Sequence, residues 1–384
     1  MQHFYFDHNA TTPVSQEVLD TLLPAMAGVY GNASSIHYQG QLAKQRLEMA
    51  RRQVAALLHC DAREIVFVSG GTEANNLALF GTAEAGRHVI TSSIEHPAVL
   101  HPCSELARAG VEITRVPVGL DGIVDPDDVR RSLRSNTVLV SIMHANNETG
   151  ALQPIQEIAR LTREAGVRLH VDGVQALGKV PVDVRSLGVD LYSISGHKVY
   201  GPKGIGALYI KKNINLRPLL FGGRQERELR AGTENVPGAM ALGRAALAAS
   251  QALASEQSRL TALRHRLESE LLARVPDSGV NCADGPRLPN TSNIFFDGIQ
   301  GEAMVISLDL RGFAVSSGSA CSSGAVEPSH VLLAMGLSPE RARSSVRFSL
   351  GASNTDQQVD ALIQAVVESA FRLRDLSPTY SAHA

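Results

Sequence analysis

Between residues 64 and 210 the chain alternates short β-branched runs with helical segments, and no other feature restricts its architecture as much. "EIVFVSGG" reads as a strand ending in glycines, and "TEANNLALFGTAEA" after it as a helix. Further strands are expected at 88–92, 111–118, 137–143, 167–172, 190–195 and 206–210. Helix-like segments at 97–109, 126–134 and 155–165 lie between most of them. Strands separated by helices form a mostly parallel sheet covered on both faces, so the predicted class is α/β.

A helical pattern then runs from about Gly238 to Val275, with Leu253, Leu260, Leu263, Leu267 and Leu271 at helical spacing. Beyond it "NTSNIFFDG" and "FAVSS" read as strands, and "DQQVDALIQAVVESAFRLRDL" as a closing amphipathic helix. A length of 384 residues suits one large domain plus a smaller one. The expected division is an N-terminal segment at 1–15, a large domain at 16–250 and a smaller α+β domain at 251–384.

The 36 basic and 38 acidic residues nearly balance, and no basic block interrupts them, which argues against direct nucleic-acid binding. The longest apolar runs fall short of a membrane span, and "MQHFYFDHNATT" is not a signal peptide, so a cytoplasmic protein without a membrane partner is expected. The cysteines are Cys60, Cys103, Cys282 and Cys321. They form no C-x-x-C or Cys/His cluster, so no metal site is expected, and their scatter suits a reducing compartment.

Three pieces of the α/β region end where an open sheet presents ligands, at strand carboxyl ends. In "SGGTE" (69–73), small residues between strand and helix let backbone N–H groups approach an anion at a helix N-terminus, and Thr72 adds a hydroxyl. In "HVDGVQALGK", Asp172 closes an apolar strand and Gln175 follows; alone, that carboxylate is a helix cap. In "SISGHKVYGPKGIGALYI", Ser195, His197 and Lys198 sit on a strand-to-loop turn. "GPKGIG" leads into a strand, which excludes a dinucleotide-binding glycine turn.

Together these pieces match the needs of pyridoxal phosphate: a cup for its phosphate, an amine for its aldehyde and an acid for its pyridinium nitrogen. Asp172 would keep that nitrogen protonated, and His96 in "SSIEHPAVL" could lie over the ring face.

With these blocks in view, the chain resembles the cysteine desulfurases, NifS/IscS-like members of the class-V aminotransferase family with the fold-type I pyridoxal-phosphate transferase fold. The resemblance runs nearly end to end, through "YFDHNATTPV", "IVFVSGGTEANNLA", "SIMHANNETG", "HVDGVQALGKVPVD", "SGHKVYGPKGIGALY", "RAGTENVPG", "SSGSACSSGAVEPSHVL" and "SSVRFSLG". "GGRQER…RAGTEN" and "CSSG…EPSH" lean toward the NifS-like side.

The resemblance implies roles position by position. Lys198 would hold the cofactor covalently, Asp172 would pair with its ring nitrogen, Gln175 would bond its ring hydroxyl, and His96 would stack on the ring and assist proton transfer. Gly71, Thr72, Ser195 and His197 would bind the phosphate, while Thr233 would reach the partner subunit's phosphate in a homodimer. Asn147 and Arg347 would hold the L-cysteine substrate, with Arg347 on its carboxylate. Cys321 would take the substrate's sulfur as a persulfide, leaving L-alanine, and pass it to an acceptor such as an iron–sulfur scaffold protein. The proton acceptor for the thiol and the identity of the sulfur acceptor stay open at this level.

Departures from the family pattern are few: Ala33 stands where proline is frequent and Ser322 where threonine is common. IscS-type members carry a longer tail after the segment matching "RLRDLSPTY", so their mode of scaffold docking is not expected here.

Overall fold

The computed structural model describes residues 3–317 and 327–376. After a two-residue strand, β1 (Phe4–Tyr5), seven strands build the main sheet. They are β2 (Ile65–Val68), β3 (His88–Ser92), β4 (Glu112–Val116), β5 (Thr137–Met143), β6 (Arg168–Asp172), β7 (Leu191–Ser195) and β8 (Gly206–Ile210). Their order across the sheet is β2-β8-β7-β6-β5-β3-β4. Pairing is parallel from β7 through to β4, and β8 runs antiparallel to both β2 and β7. Every residue of β2, β3, β7 and β8 is buried, as expected for apolar runs packed between helical layers.

The antiparallel insertion of β8 has a steric condition. A Cβ at Gly206 would lie 2.7 Å from the backbone of Gly70 and 2.6 Å from the Ile194 carbonyl oxygen. Only glycine lets β8 pass this close to the turn that starts the helix Gly71–Thr82.

A second, four-stranded antiparallel sheet forms from β9 (Ser278–Val280), β10 (Thr291–Phe296), β12 (Ser316–Ser317) and β13 (Ser345–Ser349), in the order β12-β13-β10-β9. Between them in sequence, β11 (Phe313–Ala314) pairs in parallel with β1. The segment "FAVSS", read from sequence as one strand, is therefore two: the chain changes partner at Val315, from the N-terminal strand to β13.

The helix Val236–Arg274 joins the two sheets. Its first turns, from Val236 to Ala246, pack into the core around the main sheet. Leu260, Leu263, Leu267 and Leu271 pack into a separate core with Phe6, Phe296 and Phe348. Among the described residues no helix is long and apolar enough to cross a membrane.

Candidate active site

The carboxyl ends of β2, β3, β6 and β7 converge, and each delivers a polar group at or beyond its last residue. A cavity of about 300 Å³ lies there, lined by Gly71, Thr72, Asn75, His96, Asn147, Asp172, Gln175, Ser195, His197 and Lys198. Most of the residues singled out in the sequence thus share one concave site, at the low end of small-molecule pocket volumes.

Asp172 is the last residue of β6 and is nearly fully buried. Its Oδ1 accepts from the Val174 backbone N–H at 3.0 Å, and its Oδ2 accepts from Asn75 Nδ2 at 2.6 Å. These two donors fix the carboxylate plane. Asn75 was not singled out in the sequence; it sits one turn into the Gly71–Thr82 helix, and its Oδ1 is buried without a partner.

Lys198 closes the single turn Gly196–Lys198 between β7 and β8. Its Nζ donates to the carbonyl oxygens of Asn9 at 2.6 Å and Ala10 at 2.8 Å. Burial lowers its pKa to about 8; the positive Arg347 adds to the fall, and Asp172 and Asp7 oppose it. An amine that sheds its proton near neutral pH is a competent nucleophile for an aldehyde.

The N-terminus of the helix Gly71–Thr82 faces the same cavity, with Ser195 beside it. A Cβ at Gly71 would come within 2.6 Å of Val174 Cγ2 and 3.6 Å of Ser195 Cβ, so the glycine keeps this end of the site open. His197 Nδ1 lies 3.1 Å from Thr11 Oγ1, and burial holds its pKa at about 4, which leaves the ring neutral.

His96 caps the helix Pro97–Arg108: its Nδ1 accepts from the Ala98 N–H at 3.0 Å, which leaves the proton of the neutral ring on Nε2. The ring is open to water within the cavity, yet protein crowds it enough that burial lowers its pKa, while Asp172 acts in the opposite sense.

Arg347, on β13, is not part of this cavity lining but is joined to it through Asn147. Its Nη1 donates to the Asn147 carbonyl oxygen at 3.0 Å and its Nη2 to Asp7 Oδ1 at 2.6 Å. Its Nε is buried and has no partner. Thr233 is exposed and lies apart, lining a different depression with Ser69 and Arg230. Cys321 lies outside the described residues.

The remaining thiols are poor nucleophiles. Burial pushes Cys60 and Cys103 up to about 12 and Cys282 up to about 11. Among the described residues no group of three His, Cys, Asp or Glu side chains could hold a metal ion.

The cavity residues fit pyridoxal phosphate by the chemistry of the donor set. A buried carboxylate, a near-neutral amine and a glycine-headed helix N-terminus surround one space, and the orphaned Asn75 Oδ1 marks buried polar capacity beside it.

The family model for class-V aminotransferases matches residues 4–362. The chain is 49% identical over 382 residues to a cysteine desulfurase of Trichormus azollae, covering 98% of this chain and 95% of that protein. It is 46% identical over 378 residues to the cysteine desulfurase IscS of Dictyoglomus turgidum, covering 97% and 96% respectively. A solved NifS-like protein superposes with a TM-score of 0.91 at 36% identity, covering 97% of this chain and all of that one.

Proposed function

The chain belongs to the class-V aminotransferase family and is a cysteine desulfurase that works with pyridoxal 5'-phosphate; on that premise we propose that it takes sulfur from L-cysteine onto Cys321 and releases L-alanine. The observation that carries this reading is the shared cavity in which Lys198, Asp172, His96 and a glycine-headed helix face one another.

In this reading Lys198 would hold the cofactor's aldehyde carbon, Asp172 its ring nitrogen and Gln175 its ring hydroxyl. Gly71, Thr72, Ser195 and His197 would hold its phosphate. When bound, the cofactor supplies an electron sink that loosens the substrate's Cα–H and Cβ–S bonds. With its amine at about 8, Lys198 can take and return a proton at substrate Cα near neutral pH. Arg347 and Asn147 would hold the substrate, and the unpartnered Nε–H of Arg347 supports that role, since a carboxylate would satisfy it.

Cys321 does the transfer. Its thiolate forms an S–S bond with the substrate sulfur as the Cβ–S bond breaks. The electron pair of the broken bond stays with carbon, which takes a proton and leaves as alanine. The persulfide then passes to an acceptor protein, with iron–sulfur assembly the leading destination.

A second copy of the chain belongs to the same proposal, with Thr233 completing the partner's phosphate site. Met26, Tyr30, Ile36 and Tyr38, apolar and exposed along one stretch, support a covered face there. We also assign 16–250 to a large domain and 251–384 to a smaller one, and a cytoplasmic location that suits the few scattered cysteines. The test is mass analysis of the holoprotein after one exposure to L-cysteine. The peptide containing Cys321 should gain one sulfur, with one alanine released per sulfur bound; alanine without protein-bound sulfur would contradict the assignment.

A further inference from the structure

Lys179, four residues beyond Gln175, is almost wholly buried and belongs to none of the roles above. Its Nζ donates to Gln175 Oε1 at 2.7 Å and to Asn9 Oδ1 at 3.3 Å. Burial, the charge on Lys198 and the charge on Arg347 all push its pKa well below the ordinary lysine value, and both of its hydrogen bonds are donated to acceptors.

The other end of the Gln175 amide is engaged as well. Gln175 Nε2 donates to the Asn9 carbonyl oxygen at 2.9 Å, the same oxygen that accepts from Lys198 Nζ. A carboxamide can be turned end for end, and only its partners decide which end is the donor. Here both partners agree. A carbonyl oxygen accepts only, so it selects the NH2 end, and the Lys179 N–H selects the oxygen end. One hydrogen of Nε2 is used by Asn9, and the second is left for an acceptor in the cavity that Gln175 lines with Asp172 and Lys198.

Asn9 is itself held rigidly. Its N–H donates to Ser349 Oγ, its Nδ2 to Thr291 Oγ1 and the Asn147 carbonyl, and its Oδ1 also accepts from Asn290 Nδ2. The frame that orients Gln175 therefore draws on the N-terminal segment and both sheets.

We propose that Lys179 is a positioning residue that, with Asn9, locks the Gln175 carboxamide so that its N–H points at the cofactor's ring oxygen. This rests on the reading of the cavity as a pyridoxal-phosphate site. A donor at that oxygen draws electron density from it and lowers the pH at which the bound cofactor's visible absorbance titrates.

The experiment is an absorbance titration of the holoenzyme as wild type, Lys179→Met, Gln175→Ala and the double variant. Lys179→Met should move the midpoint upward by about 1 pH unit, the worth of one neutral hydrogen bond. Gln175→Ala should move it in the same direction, and adding Lys179→Met to Gln175→Ala should move it no further. If Lys179→Met is not recovered as folded holoenzyme, Lys179→Gln carries the same comparison. It is shorter but keeps an amide donor, so its shift should be smaller and equally absent in the Gln175→Ala background. A Gln175→Ala shift with none from either Lys179 variant overturns the positioning role alone. Shifts that simply add in the double variant overturn it too, because Lys179 would then act without Gln175. A midpoint unmoved by Gln175→Ala overturns both the proposal and the reading of Gln175 beneath it.

Discussion

In the proposed reading, capture of the cofactor by Lys198 should depend on pH in a way set by burial and by three charged neighbours, Arg347, Asp172 and Asp7. The ordinary lysine value of 10.5 falls to about 8 at Lys198, and only the unprotonated amine is nucleophilic. At roughly pH 7.5 an amine at about 8 is about one-quarter free base, against about one part in a thousand for an ordinary lysine. The site therefore raises the reactive fraction about 200-fold. The assay is competitive labelling of the cofactor-free protein with an amine-reactive reagent across pH, with peptide mass spectrometry resolving Lys198 from exposed Lys44. Labelling of Lys198 should rise with pH to a midpoint near 8 and level off above it. Arg347→Met removes a cation that favours the neutral amine and frees Asp7, which favours the charged one, so the midpoint should rise by a few tenths to about 1 pH unit. A wild-type midpoint near the ordinary lysine value would refute the burial argument. An unchanged midpoint in Arg347→Met would refute the charge argument.

Three further outcomes are expected. Gly71→Ala should weaken cofactor binding about tenfold or more in an equilibrium titration, because its Cβ meets Val174 Cγ2, and Val174→Ala in the same chain should restore part of the loss. Asp7→Ala breaks a largely buried ion pair and leaves the Arg347 charge uncompensated, which should lower unfolding stability by about 3 kcal/mol in denaturant titration. Glu95 is fully buried, its Oε2 lacks a partner, and burial raises its pKa from 4.5 to about 8. The native state thus holds a proton that the unfolded state has lost, so stability should fall as pH rises from about 5 to 8, and Glu95→Gln should flatten that fall in a series of thermal melts.

Much of the frame was legible because its signals are local. The runs 88–92, 137–143 and 206–210 are short and rich in β-forming residues, and they are strands over those same residues. The cavity was legible because its groups follow strand ends, where the residue after each apolar run reaches the sheet's edge. What escaped depends on partners distant in sequence. Asp7 meets Arg347 across 340 residues, Asn75 meets Asp172 across 97, and Asn9 gathers groups from five separate segments, none with a periodic signal. The division of "FAVSS" between two sheets escaped for the same reason: β-branched and aromatic composition says that a residue extends, not which neighbour it pairs with.

In the proposed mechanism the Cys321 sulfur receives the substrate's sulfur, and other groups loosen it. The most direct measurement is single-turnover alanine production and protein-bound sulfur from L-cysteine in holo Cys321→Ala, beside the wild type. The variant should keep the cofactor's visible absorbance, since Lys198, Asp172 and the glycine-headed helix are untouched, and should form neither alanine at the wild-type rate nor a protein persulfide. Wild-type alanine release by Cys321→Ala, with sulfur leaving freely, would contradict the account.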